Sequence, residues 1–236
     1  MTIRIALVGD ESTHTSHREL NAVRPLLGHD VDAEWVATDG AEVRDLSAYD
    51  GVWLVPGSPY RDDAAAYAAV QWARRNAVPF LGVCGGLQYA VIEYLRNVLG
   101  EVGASHAEAD GENADNAVVP LACSLQGEER LVTPTPGTHF STLVDEPFLG
   151  MHFCGYGPAP AVVERLVAAG MVVGATAADA PVEVLELPTH PFYVLTLFQP
   201  HIGASAGRPL HPLLADFVRA ARAHRSAGTR TENAVG

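Results

Sequence analysis

The chain has 236 residues, 48% of them hydrophobic and 18% charged, which suits one large α/β domain with a well-buried core. Its formal net charge is −13 and its basic residues are all arginine, so it has neither a P-loop lysine nor a basic cluster for nucleic acid. No apolar run approaches the ~20 residues of a membrane span, and the opening MTIRIALVGD reads as a strand rather than a signal peptide, so a cytoplasmic protein with no nucleic-acid or membrane partner is expected.

IRIALVG (3–9) reads as a buried strand, followed by a polar loop carrying Glu11, His14 and His17. RELNAVRPLL has helical spacing cut short by Pro25, DAEWVAT is a second strand, and YDGVWLVPGSP is a third that ends in a Gly/Pro turn. The Ala-rich DDAAAYAAVQWARRN is a helix, VPFLGVC a fourth strand, and LQYAVIEYLRNVLG the helix after it. Strands alternating with helices at this spacing predict an α/β fold with a mostly parallel central sheet and helices on both faces. Residues 101–160 are less regular, with the acidic EADGENADN, a strand VVPLACSL and the Pro/Thr-rich TPTPGTH. PAPAVVERLVAAG then reads as a helix, MVVGAT, VEVLELP and FYVLTLF as three strands, and PLLADFVRAARAHR as a closing amphipathic helix. No repeat or linker divides the chain, so a single domain is expected over 1–225, with 226–236 a disordered tail.

The three cysteines, Cys84, Cys123 and Cys154, are widely separated and show no CxxC spacing, which argues against a disulfide framework or structural zinc. No motif calls for a cofactor. Cys84 stands apart from the other two: an apolar strand runs through it into Gly85–Gly86 and on into a helix (PFLGVCGGLQYA). A buried structural thiol needs no glycines beside it, whereas a tight strand–turn–helix presents a nucleophile at the carboxyl edge of a parallel sheet. The helix N-terminus behind such a thiol lowers its pKa and offers N–H groups to an oxyanion. Cys123 and Cys154 lack the turn and read as core thiols; His190 and His211, each before a proline, read as structural.

LVPGSPYRDD, VPFLGVCGGLQYAVIEYLRNVLG, ELPTHPFYVLTLFQPH and RPLHPLLADFV occur in an order that resembles the class I, triad-type glutamine amidotransferases, in particular the CTP synthase branch. The resemblance covers almost the whole chain and implies the flavodoxin-like fold of that family. It implies that Cys84 is a nucleophile forming a thioester, that the N–H groups of Gly57 and Gly85 make an oxyanion hole, and that Gln88 and Glu108 contact substrate. The synthase portion of CTP synthase would precede IALVG, so the amidotransferase part alone is expected here.

Two departures from the family pattern bear on activity. The family ends its last strand with F-H-P-E, histidine as base and glutamate as its orienting group; here the chain reads Phe198-Gln199-Pro200-His201. Gln199 cannot accept a proton near neutral pH, and His201 could take the base's role only if the turn rearranged. The branch also carries R-H-R-Y-E, whose last arginine holds the glutamine carboxylate; here HFCGYG places Gly155 at that position, with Tyr156 beside it as a substrate-binding residue. If SHAE is extended, period-2 geometry turns His106 and Glu108 to one face, making His106 a candidate base. Glu11, His14 and His17 read first as loop residues within reach of the same edge.

The sequence thus leads to a cysteine-dependent hydrolase or acyl transferase acting on a small amide other than free glutamine. The alternatives are a glutaminase subunit supplying ammonia to a separate synthase, and an inactive ligand-binding homologue. The partners left open are the small amide, a synthase and a second copy of the chain.

Overall fold

A strand covered on both faces must be apolar throughout, and β1 (Ile3–Val8) buries every residue except Arg4. In the computed structural model, residues 2–178 and 180–234 are described, the side chains of 122–124 and 229–234 excepted. After β1 come α1 (Thr15–Val23), β2 (Val31–Val36), β3 (Gly51–Leu54), α2 (Asp63–Arg75), β4 (Phe80–Val83) and α3 (Gly85–Asn97). The helices have the local chemistry that makes them: the Asp62 carboxylate accepts the Ala65 N–H at 2.9 Å to cap α2, whose stripe Ala66–Ala69–Val70–Ala73 is buried.

The middle of the chain holds the short β5 (Ser105–His106), α4 (Ala107–Asp110), the long β6 (Asn116–Pro134), α5 (His139–Leu143) and β7 (Phe148–Pro158). The irregular-looking residues 101–160 are therefore largely an antiparallel ribbon, β6 against β7, and HFCGYG is one of its strands. Two register shifts in this ribbon break the period-2 pattern, which is why β7 is hard to read from sequence. The chain finishes with α6 (Pro160–Ala168), β8 (Val172–Ala177), β9 (Ala180–Glu186), β10 (Tyr193–Thr196) and α7 (Pro212–Ala234).

The strands form one ten-stranded sheet in the order β2-β1-β3-β4-β10-β9-β8-β6-β5, with β7 on β6. The first five are mutually parallel, and antiparallel pairing begins at β10–β9. Trp53 meets Phe217 of α7 edge-on, while its neighbour Leu54 sits against Gly86 of α3. Adjacent strand residues point to opposite faces, so α7 and α3 cover opposite sides of the sheet. Helix α7 runs past Arg225 into the segment expected to be a disordered tail. That stretch contains no proline, and the Ser226 hydroxyl donates to the Arg222 carbonyl at 2.9 Å, so nothing interrupts the helix there. Residues 235 and 236 lie outside the described part.

Candidate active site

The sheet order reverses between β1 and β3, and the carboxyl ends of β1, β3 and β4 open onto a cavity of about 430 Å³. The loop after β1 contributes Asp10, Glu11 and His14 to its wall, the first turn of α1 contributes Ser16 and His17, and the loop after β3 contributes Gly57, Ser58 and Arg61. Cys84 and Gln88 come from the β4–α3 turn, Glu108 from α4, Phe153 to Tyr156 from β7, and Gln199 from beyond β10.

Cys84 has φ +54° and ψ −108°, a conformation that an L-residue adopts at a cost of about 1–3 kcal/mol. Its surroundings hold it there. A Cβ on Gly86 would stand 2.1 Å from the Leu54 carbonyl oxygen, and one on Gly85 would stand 2.8 Å from Ser58 Oγ. Only glycines let α3 approach β3 and its loop this closely, so the two glycines after the cysteine are required by packing.

The Cys84 sulfur lies 3.0 Å from the sulfur of Cys154, and both are buried free thiols. The Cys154 S–H pushes the Cys84 thiol pKa down; the Gly85 N–H and the Gln199 amide add to this, against the opposing effect of burial. The Gln199 amide nitrogen makes no well-formed hydrogen bond of its own. Cys154 moves the other way, held well above its ordinary value by the neighbouring Cys84 sulfur and by burial. The two displacements run in opposite directions, with the lowered pKa on the sulfur at the helix N-terminus. Cys154, which reads as a core thiol from sequence, is buried in the core and also borders the cavity. Cys123 lies outside the residues whose side chains are described.

Three expected catalytic residues do other work. His106 caps α4: its Nδ1 accepts the Glu108 N–H at 3.1 Å, so the neutral ring carries its proton on Nε2 and donates to Gln88 Oε1 at 2.9 Å. The strand ends at His106, and the turn into α4 sends Glu108 to the cavity while the imidazole stays 1% exposed beneath it. The shared face expected for an extended SHAE is therefore lost. His106 positions Gln88, which also accepts from Ser58 Oγ at 3.0 Å and donates to the Tyr156 carbonyl at 2.9 Å.

His201 sits behind Gln199. Its Nε2 lies 3.1 Å from Ser16 Oγ, which donates to Gln199 Oε1 at 2.6 Å, and its ring packs edge-on against Trp53. Burial lowers its pKa to about 3, so it is neutral and cannot serve as a base near neutral pH. Gln199 reaches the cavity, but as an amide.

The histidines at the cavity itself are His14 and His17. His17 accepts the Ser12 N–H on Nδ1 at 2.9 Å and meets the Pro56 carbonyl through Nε2 at 2.7 Å, which pins the strand leading to Gly57. Burial lowers its pKa. His14 caps α1 through Nδ1 and packs edge-on against Phe153, leaving Nε2 without a protein partner.

Glu108 is exposed at the wall, and partial desolvation raises its pKa. Gly155 also lines the cavity, with open space where a side chain would go. Arg61, two residues before α2, brings a cation to the wall of the same cavity. Its backbone N–H is held by Asp10 at 2.8 Å, and its exposed guanidinium is 3.6 Å from Asp39. Two residues of the IEYLRN segment are structural: Glu93 pairs with Arg74 at 2.6 and 2.9 Å, and Arg96 holds the Ala104 carbonyl at 2.7 Å. Among the described residues, no group of His, Cys, Asp and Glu side chains could hold a metal.

An α/β sheet that presents a strained cysteine at a helix N-terminus, over a cavity at the strand switch point, defines a cysteine-hydrolase class of site. Residues 8–132, more than half of the chain, match the family model for class-I glutamine amidotransferases, and the chain belongs to that family. The CTP synthase of Methanoculleus marisnigri is 32% identical over 95% of this chain and 44% of its own length. That of Archaeoglobus fulgidus is 34% identical over 84% and 40%. The chain therefore spans less than half the length of these curated relatives. Among solved structures, the Trypanosoma brucei CTP synthase glutaminase domain with bound acivicin superposes with a TM-score of 0.78 at 24% identity, covering 94% of each chain. A glutamine amidotransferase from Thermotoga maritima superposes at 0.59 with 15% identity, over 96% of this chain and 94% of its own.

These relationships overturn the expectation of an amide substrate other than glutamine. The curated relatives are CTP synthases, and the matching solved domain is their glutaminase. Gly155 in place of an arginine counts against glutamine only if no other cation reaches the cavity, and Arg61 reaches it from another loop.

Proposed function

We propose that the chain is a glutaminase of the CTP synthase type that hydrolyses the side-chain amide of glutamine and passes ammonia to a synthase partner. The observation that carries this reading is the Cys84 sulfur, its pKa lowered by the Cys154 S–H and the Gly85 N–H, inside a cavity that also presents Glu108 and Arg61. Glu108 supplies a carboxylate for the α-ammonium group of glutamine, and Arg61 a guanidinium for its α-carboxylate. The Cys84 thiolate attacks the amide carbon, and the developing oxyanion falls to the N–H groups of Gly57 and Gly85. The C–N bond then breaks, the nitrogen takes a proton and leaves as ammonia, and water releases glutamate from the thioester.

In the family pattern a histidine would manage these protons. Gln199 and His201 hold that position and its neighbour, one an amide and the other neutral with a pKa near 3. The lowered pKa of Cys84 favours the nucleophilic thiolate without a neighbouring base, while departure of ammonia and attack of water go without one. General acid–base assistance is worth about 10²–10⁴-fold, so turnover is expected to be slower by that order, with the thioester accumulating.

Intact-mass spectrometry of protein incubated with glutamine tests this. A γ-glutamyl adduct on Cys84, trapped by hydroxylamine and absent in Cys84→Ala, is expected together with ammonia release. Absence of both adduct and ammonia at saturating glutamine would refute the reading.

A further inference from the structure

Cys84 and Cys154 are 70 positions apart in sequence, yet their sulfurs stand 3.0 Å apart. They come from separate elements, the β4–α3 turn and strand β7, and both border the cavity. A disulfide requires the sulfurs to approach to about 2.05 Å, a closure of roughly 1 Å from the distance seen here. Hydrolysis uses Cys154 only as a hydrogen-bond donor, a role that does not require a thiol. The arrangement is that of an attacking and a resolving thiol.

We propose that Cys84 and Cys154 form a reversible intramolecular disulfide when the protein meets a hydroperoxide. The Cys84 thiolate attacks the terminal peroxide oxygen, the O–O bond breaks, and hydroxide or alkoxide leaves, giving the Cys84 sulfenic acid. The Cys154 sulfur then attacks the Cys84 sulfur. The S–O bond breaks, and the Cys154 proton departs with the hydroxyl as water. Two thiols are oxidised to one disulfide, and the peroxide is reduced by two electrons. The opposite pKa displacements of the two sulfurs favour this division of roles. Closing the bond removes the nucleophile from the cavity, and reduction by a dithiol restores it.

Trypsin cleaves only at arginine in this chain, and it places the three cysteines on separate peptides: Cys84 on 76–96, Cys123 on 97–130 and Cys154 on 131–165. The protein is treated with stoichiometric hydrogen peroxide, alkylated, digested and mapped by mass. The expected result is a 76–96/131–165 pair that disappears after dithiothreitol, with Cys123 recovered in alkylated form. In Cys154→Ser, Cys84 should instead be captured by dimedone and proceed to the sulfinic acid.

Three outcomes would overturn the proposal. They are a wild-type Cys84 that ends as sulfenic or sulfinic acid without the linked pair, a link to Cys123 in comparable yield, and thiols that stay unreacted in excess peroxide. Peptide mass is the readout throughout, so the result stands or falls separately from glutamine hydrolysis.

Discussion

Acid should unfold this protein partly through His201, and the effect can be worked out. His201 is 1% exposed, boxed in by Ser16 and Trp53, and its pKa falls from the ordinary 6.5 to about 3 on folding. A depressed folded-state pKa means that the unfolded chain takes up a proton which the native ring refuses. This contribution to stability is intact above about pH 6.5 and is lost as the pH falls toward 3. Between pH 7 and pH 4.5, with 1.36 kcal/mol for each unit, His201 alone removes about 2.5 kcal/mol, a large part of the 5–15 kcal/mol typical of a folded domain. His211, lowered to about 4 by burial, adds a similar loss.

His201→Gln keeps a polar group beside Ser16 and cannot titrate. Urea melts of wild type and variant at pH 7 and pH 4.5 should therefore show the variant losing about 2.5 kcal/mol less on acidification, whatever its stability at pH 7. Equal acid losses in the two proteins would refute the reasoning, as would a His201 ring titrating near 6.5 by NMR. Either result would return His201 to contention as a base.

Three further outcomes are expected. Cys154→Ala should move the pH midpoint of Cys84 alkylation upward, because the thiolate loses its largest stabilising partner; an unmoved midpoint would show that the helix terminus acts alone. Arg61→Ala should raise the KM for glutamine about tenfold with kcat little changed, as expected for an exposed ground-state contact, whereas an equal fall in kcat would place Arg61 in the transition state. Gly86→Ala should cost about 3 kcal/mol or more, since its Cβ would meet the Leu54 carbonyl at 2.1 Å, while Gly155→Ala, facing open space, should melt with the parent.

What could be read in advance was whatever depends on neighbours along the chain. The buried strands, the Ala-rich α2 and the glycines after Cys84 show a local period or a local steric need, so the parallel core and the exposed turn were legible. The family motif placed Cys84, Gly57, Gln88 and Glu108 at one cavity for the same reason. Part of β6 was legible as the strand VVPLACSL, but its partner β7 was not, because bulges in the ribbon interrupt the alternation that marks a strand.

The chemistry of the site was decided by contacts between distant residues. Cys154 of β7 meets Cys84 of the β4–α3 turn, and Arg61 lines the same cavity from a different loop. His106 was fixed by its bonds to the Glu108 N–H and Gln88, and His201 by burial behind Gln199. Ionisation responds to burial and to partners a few ångströms away, and neither is a property of sequence spacing. The sequence by itself determined the sheet, the elbow and the cysteine on it. Only the tertiary structure decided which groups share that cysteine's proton.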